Sequence, residues 1–153
     1  FYEYHNLPYA ILRFANVYGQ DQDTAAEGGV VGIFINKMLK KQPVVIYGTG
    51  RQTRDFVHVS DIVRANIAAI ENNIIGEFNV GTGKQTTIND LFAIIAKISG
   101  AKQQKVFSEG RSMEVKYNAL SARKFKKATG WKPLTNLNEG LKITFEHFKS
   151  KQK

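Results

Sequence analysis

An α/β domain is the fold class this sequence predicts, and three observations predict it. Short runs of β-branched and aromatic residues alternate with longer runs of helical apolar spacing. Helix start and stop signals, such as Thr87-Ile88-Asn89-Asp90 and Gly100, separate the two kinds of run. The chain has 153 residues, enough for one domain with a real core, and carries no internal repeat or low-complexity linker.

The elements follow in order. Phe1-Tyr2-Glu3-Tyr4-His5 reads as the end of a helix. The chain does not open on Met, so a piece of something longer is expected. Leu7-Pro8 stops that turn, because proline disfavours helix in the residue before it. Tyr9–Phe14 is a short apolar strand, and residues 18–29 form a polar loop long enough to be functional. Val30–Leu39 has helical spacing in Val30, Phe34 and Met38, and Lys37, Lys40 and Lys41 suit its C-terminal dipole. Val44–Tyr47 is a strand after Pro43, turned by Gly48-Thr49-Gly50.

Phe56–Val59 is a short alternating strand. Ser60 is expected to cap a helix from Asp61 to Asn72. Asn73–Gly76 turns into the strand Glu77–Val80. Thr87 to Asp90 reads as an acidic capping box for a helix from Ile88 to Ser99, stopped by Gly100. Residues 102–118 hold one or two edge strands. Ser121 is expected to cap a short helix ending at Gly130, and Trp131-Lys132-Pro133 is a turn. The last helix, Leu137–Phe148, places Leu141, Thr144, Phe145 and Phe148 on one face.

Composition removes several function classes. No apolar run approaches a membrane span, and nothing at the N-terminus resembles a signal peptide. The absence of cysteine excludes disulfides, thiolate chemistry and cysteine zinc sites. The cytoplasm is the default compartment. The net charge of +9 is densest at Arg123-Lys124-Phe125-Lys126-Lys127. That cluster reads first as a solvated surface and second as attraction to an anion.

Gly81-Thr82-Gly83-Lys84 lacks the spacing of a P-loop, since Phe78 stands where the first glycine belongs and Gln85 follows the lysine. The third glycine of a dinucleotide fingerprint is replaced by Thr86. A strand-to-helix turn without phosphate is expected. His58 and Asp61 have no second histidine near them, so His58 is expected to be a satisfied structural residue, and His147 a solvated one. Arg54 and Arg111 sit among residues of strand character. A guanidinium gives paired charge-assisted bonds to phosphate.

Several blocks coincide in order with one family pattern: LPYAILRFANVYGQ, GGVVGIFINKML, IYGTGRQTRDFVHVSD, FNVGTG, RSMEV and TGWKPLTNLNEGL. The chain thus resembles the C-terminal half of NAD-dependent sugar-nucleotide epimerases and dehydratases, in the extended short-chain dehydrogenase/reductase superfamily. UDP-sugar 4-epimerases are its most similar branch. The resemblance implies the last parallel strands of a Rossmann-type reductase plus its smaller substrate-binding α/β subdomain, all within residues 1–153. The NAD-binding part is missing.

By position, the resemblance implies that Asn16 contacts the nucleotide-sugar and that Phe14 lies near the nicotinamide. Val30 opens a helix beside the nucleotide, and Ile46 and Tyr47 flank the uracil. Arg54 and Arg111 grip the diphosphate, Phe56 is an aromatic at the same site, and Glu114 binds the ribose. Asn118, four residues after Glu114, stands where a bulky Tyr excludes N-acetylated sugars. Gln20, Met113 and Ser121 depart from the pattern. The Gly-rich NAD loop and the Tyr-x-x-x-Lys pair precede residue 1 in the family. No catalytic residue is therefore expected here, and the isolated chain is expected to be inactive and not to retain NAD. The family reaction is hydride transfer through NAD with the Tyr as acid/base.

A sugar-nucleotide dehydratase or decarboxylase is the alternative parent. A non-catalytic nucleic-acid-binding module is the alternative of another class, although no RNA-binding signature is present. The partners implied are a UDP-sugar and, through family helices upstream of residue 1, a homodimer. No membrane and no metal are expected.

Overall fold

The computed structural model describes residues 2–5, 7–22, 28–100, 104–110 and 115–152. The order is α1 (Tyr2–His5), β1 (Ala10–Phe14), β2 (Asn16–Tyr18), α2 (Val30–Leu39), β3 (Val44–Tyr47), β4 (Thr53–Arg54) and β5 (Phe56–His58). It continues with α3 (Val59–Glu71), β6 (Gly76–Val80), β7 (Thr86–Thr87), α4 (Ile88–Ser99), β8 (Lys105–Ser108), α5 (Arg123–Thr129) and α6 (Leu137–Ser150).

Parallel pairing dominates: β1 with β6, β2 with β5, and β3 with β8. The two-residue strands β4 and β7 pair antiparallel. The stretch from Ala10 to Tyr18 therefore changes partner. Up to Phe14 it runs beside β6, and from Asn16 onward it runs beside β5, with Ala15 between. Ala15 N donates to Val80 O at 2.9 Å and Asn16 N to Asp55 O at 2.8 Å, so the switch is made without losing a backbone bond.

Two apolar clusters fill the interior. The first joins α2, α4 and α6 over β3, with Ile35, Ile46, Leu91, Ile95 and Leu141 at its centre. The second joins α3, β5, β6 and α5 through Val57, Ala65, Val80, Phe125 and Trp131. Buried Asp61 fastens the coil after α5 to α3. Its carboxylate accepts from Leu134 N at 3.1 Å and Thr135 N at 3.2 Å and pairs with Arg64, while its carbonyl accepts from Trp131 Nε1 at 3.1 Å. A buried carboxylate is tolerable when donors meet it in this way.

The helix ends correct two expectations. α3 begins at Val59, one turn position before Ser60, and its N-cap is His58, whose Nδ1 accepts from Ser60 N at 3.3 Å. The side chain of Ser60 also bonds that nitrogen, at 2.8 Å, so Ser60 completes the cap from inside the helix. α5 starts after Ala122 with no side-chain cap, so Ser121 does not cap it. Where the signal is local the ends agree. Thr87 Oγ1 accepts from Asp90 N at 3.0 Å at the start of α4, and Gly100 closes it with φ 68°. Between residues 102 and 118 the described residues contain one strand, β8.

The side of β1 away from β6 is different. Only Leu12 of β1 is half-buried, and α3 carries a second apolar stripe of Val63, Ile67 and Ile70 facing outward. Between β1 and α3 runs a groove of about 510 Å3, lined by Tyr9, Leu12, Phe14, Ala69, Ile70 and Ile74. Among the described residues no helix is long and apolar enough to cross a membrane.

Candidate functional site

The backbone changes strand partner at Ala15. The chain leaving β4 passes beside it, and Asp55 is its centre. Thr53, Asp55 and Val57 alternate onto one buried face, and Asp55 is fully buried. Its Oδ2 accepts from Gly83 N at 3.0 Å and from Leu120 N at 3.1 Å. Thr82 N reaches both carboxylate oxygens at 3.1 Å, and Thr82 Oγ1 donates to Oδ1 at 2.5 Å. The Thr82 and Gly83 amides of the Gly81-Thr82-Gly83 turn, which could cradle a phosphate, are thus taken by an internal carboxylate. Gly81 must be glycine here, because a Cβ would lie 2.6 Å from Asp55 Oδ2.

Arg54 lies on the other face of this short strand, half-exposed. Its guanidinium donates to Thr53 O at 2.8 Å and Val115 O at 2.7 Å. Lys116 O accepts from Thr53 N at 2.9 Å, and Asn118 N donates to Thr53 Oγ1 at 3.4 Å. Residues 115–120 therefore run alongside 53–55, two residues for two. Asn16, half of the pair Asn16–Phe56, is exposed and bonded to Asp55 O. Gln52 Nε2 donates to Tyr47 O at 2.8 Å and brings β3 to the same side. Tyr47 is 40% exposed.

Asn16, Tyr47, Arg54 and Asn118 are thus joined by one hydrogen-bonded framework. Other expected residues stand apart. Ile46 is 1% exposed and Phe56 is 5% exposed, and both side chains belong to the first core. Both are packed among core residues. The Phe56 ring makes an edge contact with Tyr18, centroids 6.4 Å apart. Val30 also packs against that core, and the start of α2 is occupied by Gln22, whose Oε1 accepts from Gly32 N at 3.1 Å. Phe14 opens onto the groove beside α3, not onto Arg54. Arg111 and Glu114 lie outside the described residues.

The histidines also correct the sequence reading. His58 is buried, and its Nε2 has no hydrogen-bond partner among the described residues. Its ring stands edge-on to Tyr18 at 5.4 Å. Burial holds the imidazole below its usual pKa, against the opposing pull of Asp61 and Glu139. Burial likewise pushes the Tyr18 phenol upward, with Asp61 and Glu139 adding to it. His147 is not simply solvated: Nε2 lies 3.2 Å from Asp21 Oδ1, which also pairs with Lys151. The Lys151 bond, then the His147 bond, hold the Asp21 carboxyl below its usual range. Among the described residues no cluster of three metal-ligating side chains occurs.

Asp55 escaped the sequence reading. The signal was there: a carboxylate on the buried face of an alternating strand requires donors, and a Gly-Thr-Gly turn has them to give.

A family model described as the NAD dependent epimerase/dehydratase family matches residues 2–81. A protein of Methanocaldococcus jannaschii described as a putative UDP-glucose 4-epimerase is 45% identical over 140 residues, 90% of this chain and 45% of its own length. A crystal structure of UDP-glucose 4-epimerase from Thermotoga maritima with UDP-glucose superposes with a TM-score of 0.94 at 41% identity, covering 99% of this chain and 49% of that one. A UDP-N-acetylglucosamine 4-epimerase from Methanobrevibacter ruminantium, in complex with UDP-N-acetylmuramic acid, gives a TM-score of 0.93 at 34% identity, again over 99% and 49%. The chain spans about half the length of the relatives it matches. With parallel strands in the Rossmann-type arrangement of those structures and a family pattern running from α1 to the turn after β6, this chain belongs to the NAD dependent epimerase/dehydratase family.

Proposed function

We propose that this chain is the nucleotide-sugar-binding portion of a UDP-sugar 4-epimerase that works by NAD-mediated hydride transfer. The observation that carries the reading is the framework around Arg54: one cation fixed by two carbonyls, between Asn16, Tyr47 and Asn118, at the strand switch. On this reading Arg54 holds the diphosphate, with Arg111 as its second cation and Glu114 as the ribose acceptor. Tyr47 flanks the base and Asn16 the sugar. Ile46 and Phe56 keep that wall rigid from behind, and Val30 anchors the helix beside it.

NAD does not fit the described residues of this chain alone. The Thr82 and Gly83 amides already bond Asp55, and Phe14 is the one residue of this chain expected near the nicotinamide. No step of hydride transfer is assigned to these residues, and the chain alone neither turns over substrate nor retains NAD. The NAD-binding half belongs against the open side of β1 and the groove beside α3, since parallel strands are covered on both faces.

Asn118 is half-buried and smaller than tyrosine, which leaves room for an N-acetyl group on sugar carbon 2. The similar fold of an epimerase named for UDP-N-acetylglucosamine supports this. Titration calorimetry with UDP-glucose tests the reading. Binding is expected, and Arg54→Ala weakens it by about tenfold or more, each charge-assisted bond being worth roughly 1.5–3 kcal/mol. An unchanged affinity in that variant contradicts the assignment. In Asn118→Tyr, selective loss of UDP-N-acetylglucosamine is expected, with UDP-glucose retained.

A further inference from the structure

We infer that Asp55 is a positioning residue for nucleotide-sugar binding, one carboxylate that fixes the 115–120 segment and the Thr82-Gly83 turn in register around Arg54. The inference rests on the reading of Arg54 and Asn118 as ligand contacts. Asp55 itself touches no ligand.

The geometry separates this from a general role in the core. The residues that Asp55 joins are 27, 28 and 65 positions away, and Thr82, Gly83 and Leu120 all lie outside regular helix or strand. Segment 115–120 is tied to 53–55 at successive points: Val115 O to Arg54, Lys116 O to Thr53 N, Asn118 N to Thr53 Oγ1, and Leu120 N to Asp55. Leu120 is the last of these ties, and its acceptor is a charged oxygen, which makes the stronger kind of bond. Loss of that end lets the segment drift. Arg54 then loses the Val115 carbonyl that orients its guanidinium, and Asn118 moves with it. A bidentate cation displaced in this way loses its match to a diphosphate.

Asp55→Asn is the sharpest test because it keeps the volume. An amide has one acceptor oxygen, so its NH2 must oppose either Leu120 and Gly83 or Thr82. The milder Thr82→Val removes the hydroxyl bond to Asp55, together with the bond that the hydroxyl accepts from Lys84 N. Titration of UDP-glucose into the 153-residue chain, at a temperature well below melting, reports the affinity of folded protein. Asp55→Asn is expected to bind about tenfold more weakly and Thr82→Val about threefold. Amide exchange is expected to quicken at Asn118 and Leu120 while amides of α2, α4 and α6 stay protected.

A lower melting temperature with affinity within about twofold of the parent chain overturns the inference, for Asp55 then holds only the fold. If Asp55→Asn does not fold, Thr82→Val decides in the same way. Loss of binding in Arg54→Ala with full binding in Asp55→Asn overturns this inference and leaves the functional reading standing. No UDP-glucose binding by the unsubstituted chain overturns both.

Discussion

The bundle of α2, α4 and α6 and the layer of β1 and α3 use similar residues and are finished differently. In the bundle, apolar residues point inward and meet. Phe34 and Phe92 make an edge contact at 6.3 Å, and Leu91, Ile95 and Leu141 are wholly buried. In the layer, α3 buries Ile62, Ala65 and Ala69, yet turns Ile70 outward at 75% exposure. Beside it, β1 exposes Ile11 and Phe14 and, among the described residues, pairs on one edge only. Both regions have enough apolar surface for a core. Only the bundle contains both sides of its own. Exposed apolar area on a parallel strand and its neighbouring helix is the sign of surface meant to be covered.

The largest expected effect breaks the closed side. Leu141→Ala removes a fully buried side chain and is expected to cost about 2–5 kcal/mol, read by urea unfolding. Next comes Gly140→Ala. Its Cβ would sit 2.2 Å from Tyr18 Oη and 3.1 Å from His58 Cδ2. Tyr18 has one long bond there, to Leu137 O at 3.5 Å, and no room to withdraw into a filled core. A loss of about 1–3 kcal/mol is expected from overpacking.

A smaller effect is read against pH. His58 has a folded-state pKa below its ordinary 6.5, so the unfolded chain binds its proton more readily. Its contribution is complete above pH 6.5 and is lost as the pH falls from there through the lowered folded value. Melting temperature is expected to fall with acidification in that window, and His58→Asn to flatten the slope. The smallest effect belongs to the open side. Ile70→Ser is expected to change stability by no more than about 0.5 kcal/mol, since the side chain is already in solvent. A stability loss like that of Leu141→Ala would mean that the two regions do not differ as described.

What the sequence revealed follows the range of each signal. Val30–Leu39, Val44–Tyr47 and Ile88–Ser99 are found at the expected ends, because Pro43, Thr87 and Gly100 act on their neighbours. His58 displaced Ser60 as the cap because its ring, edge-on to Tyr18, accepts from the Ser60 amide two residues on. β4 and β7 were illegible: two-residue strands exist only because Thr53–Arg54 and Thr86–Thr87 are brought together by the rest of the fold. In the candidate site, the sequence blocks single out Arg54 and not Asp55. The block names residue types, whereas the role of Asp55 appears only when Leu120 arrives from 65 positions away.

The partner switch at Ala15 has a consequence for how the chain is made. β1 meets β6 at a distance in sequence: Arg13 and Glu77, paired across the two strands, are 64 residues apart. A ribosome adding about 5–20 residues per second needs roughly 3–13 s to supply that partner. Through that interval the apolar strand waits while α2 and α3, whose bonds are local, have had time to form many times over. The order of synthesis thus favours the local helices α2 and α3 before the pair of β1 with β6.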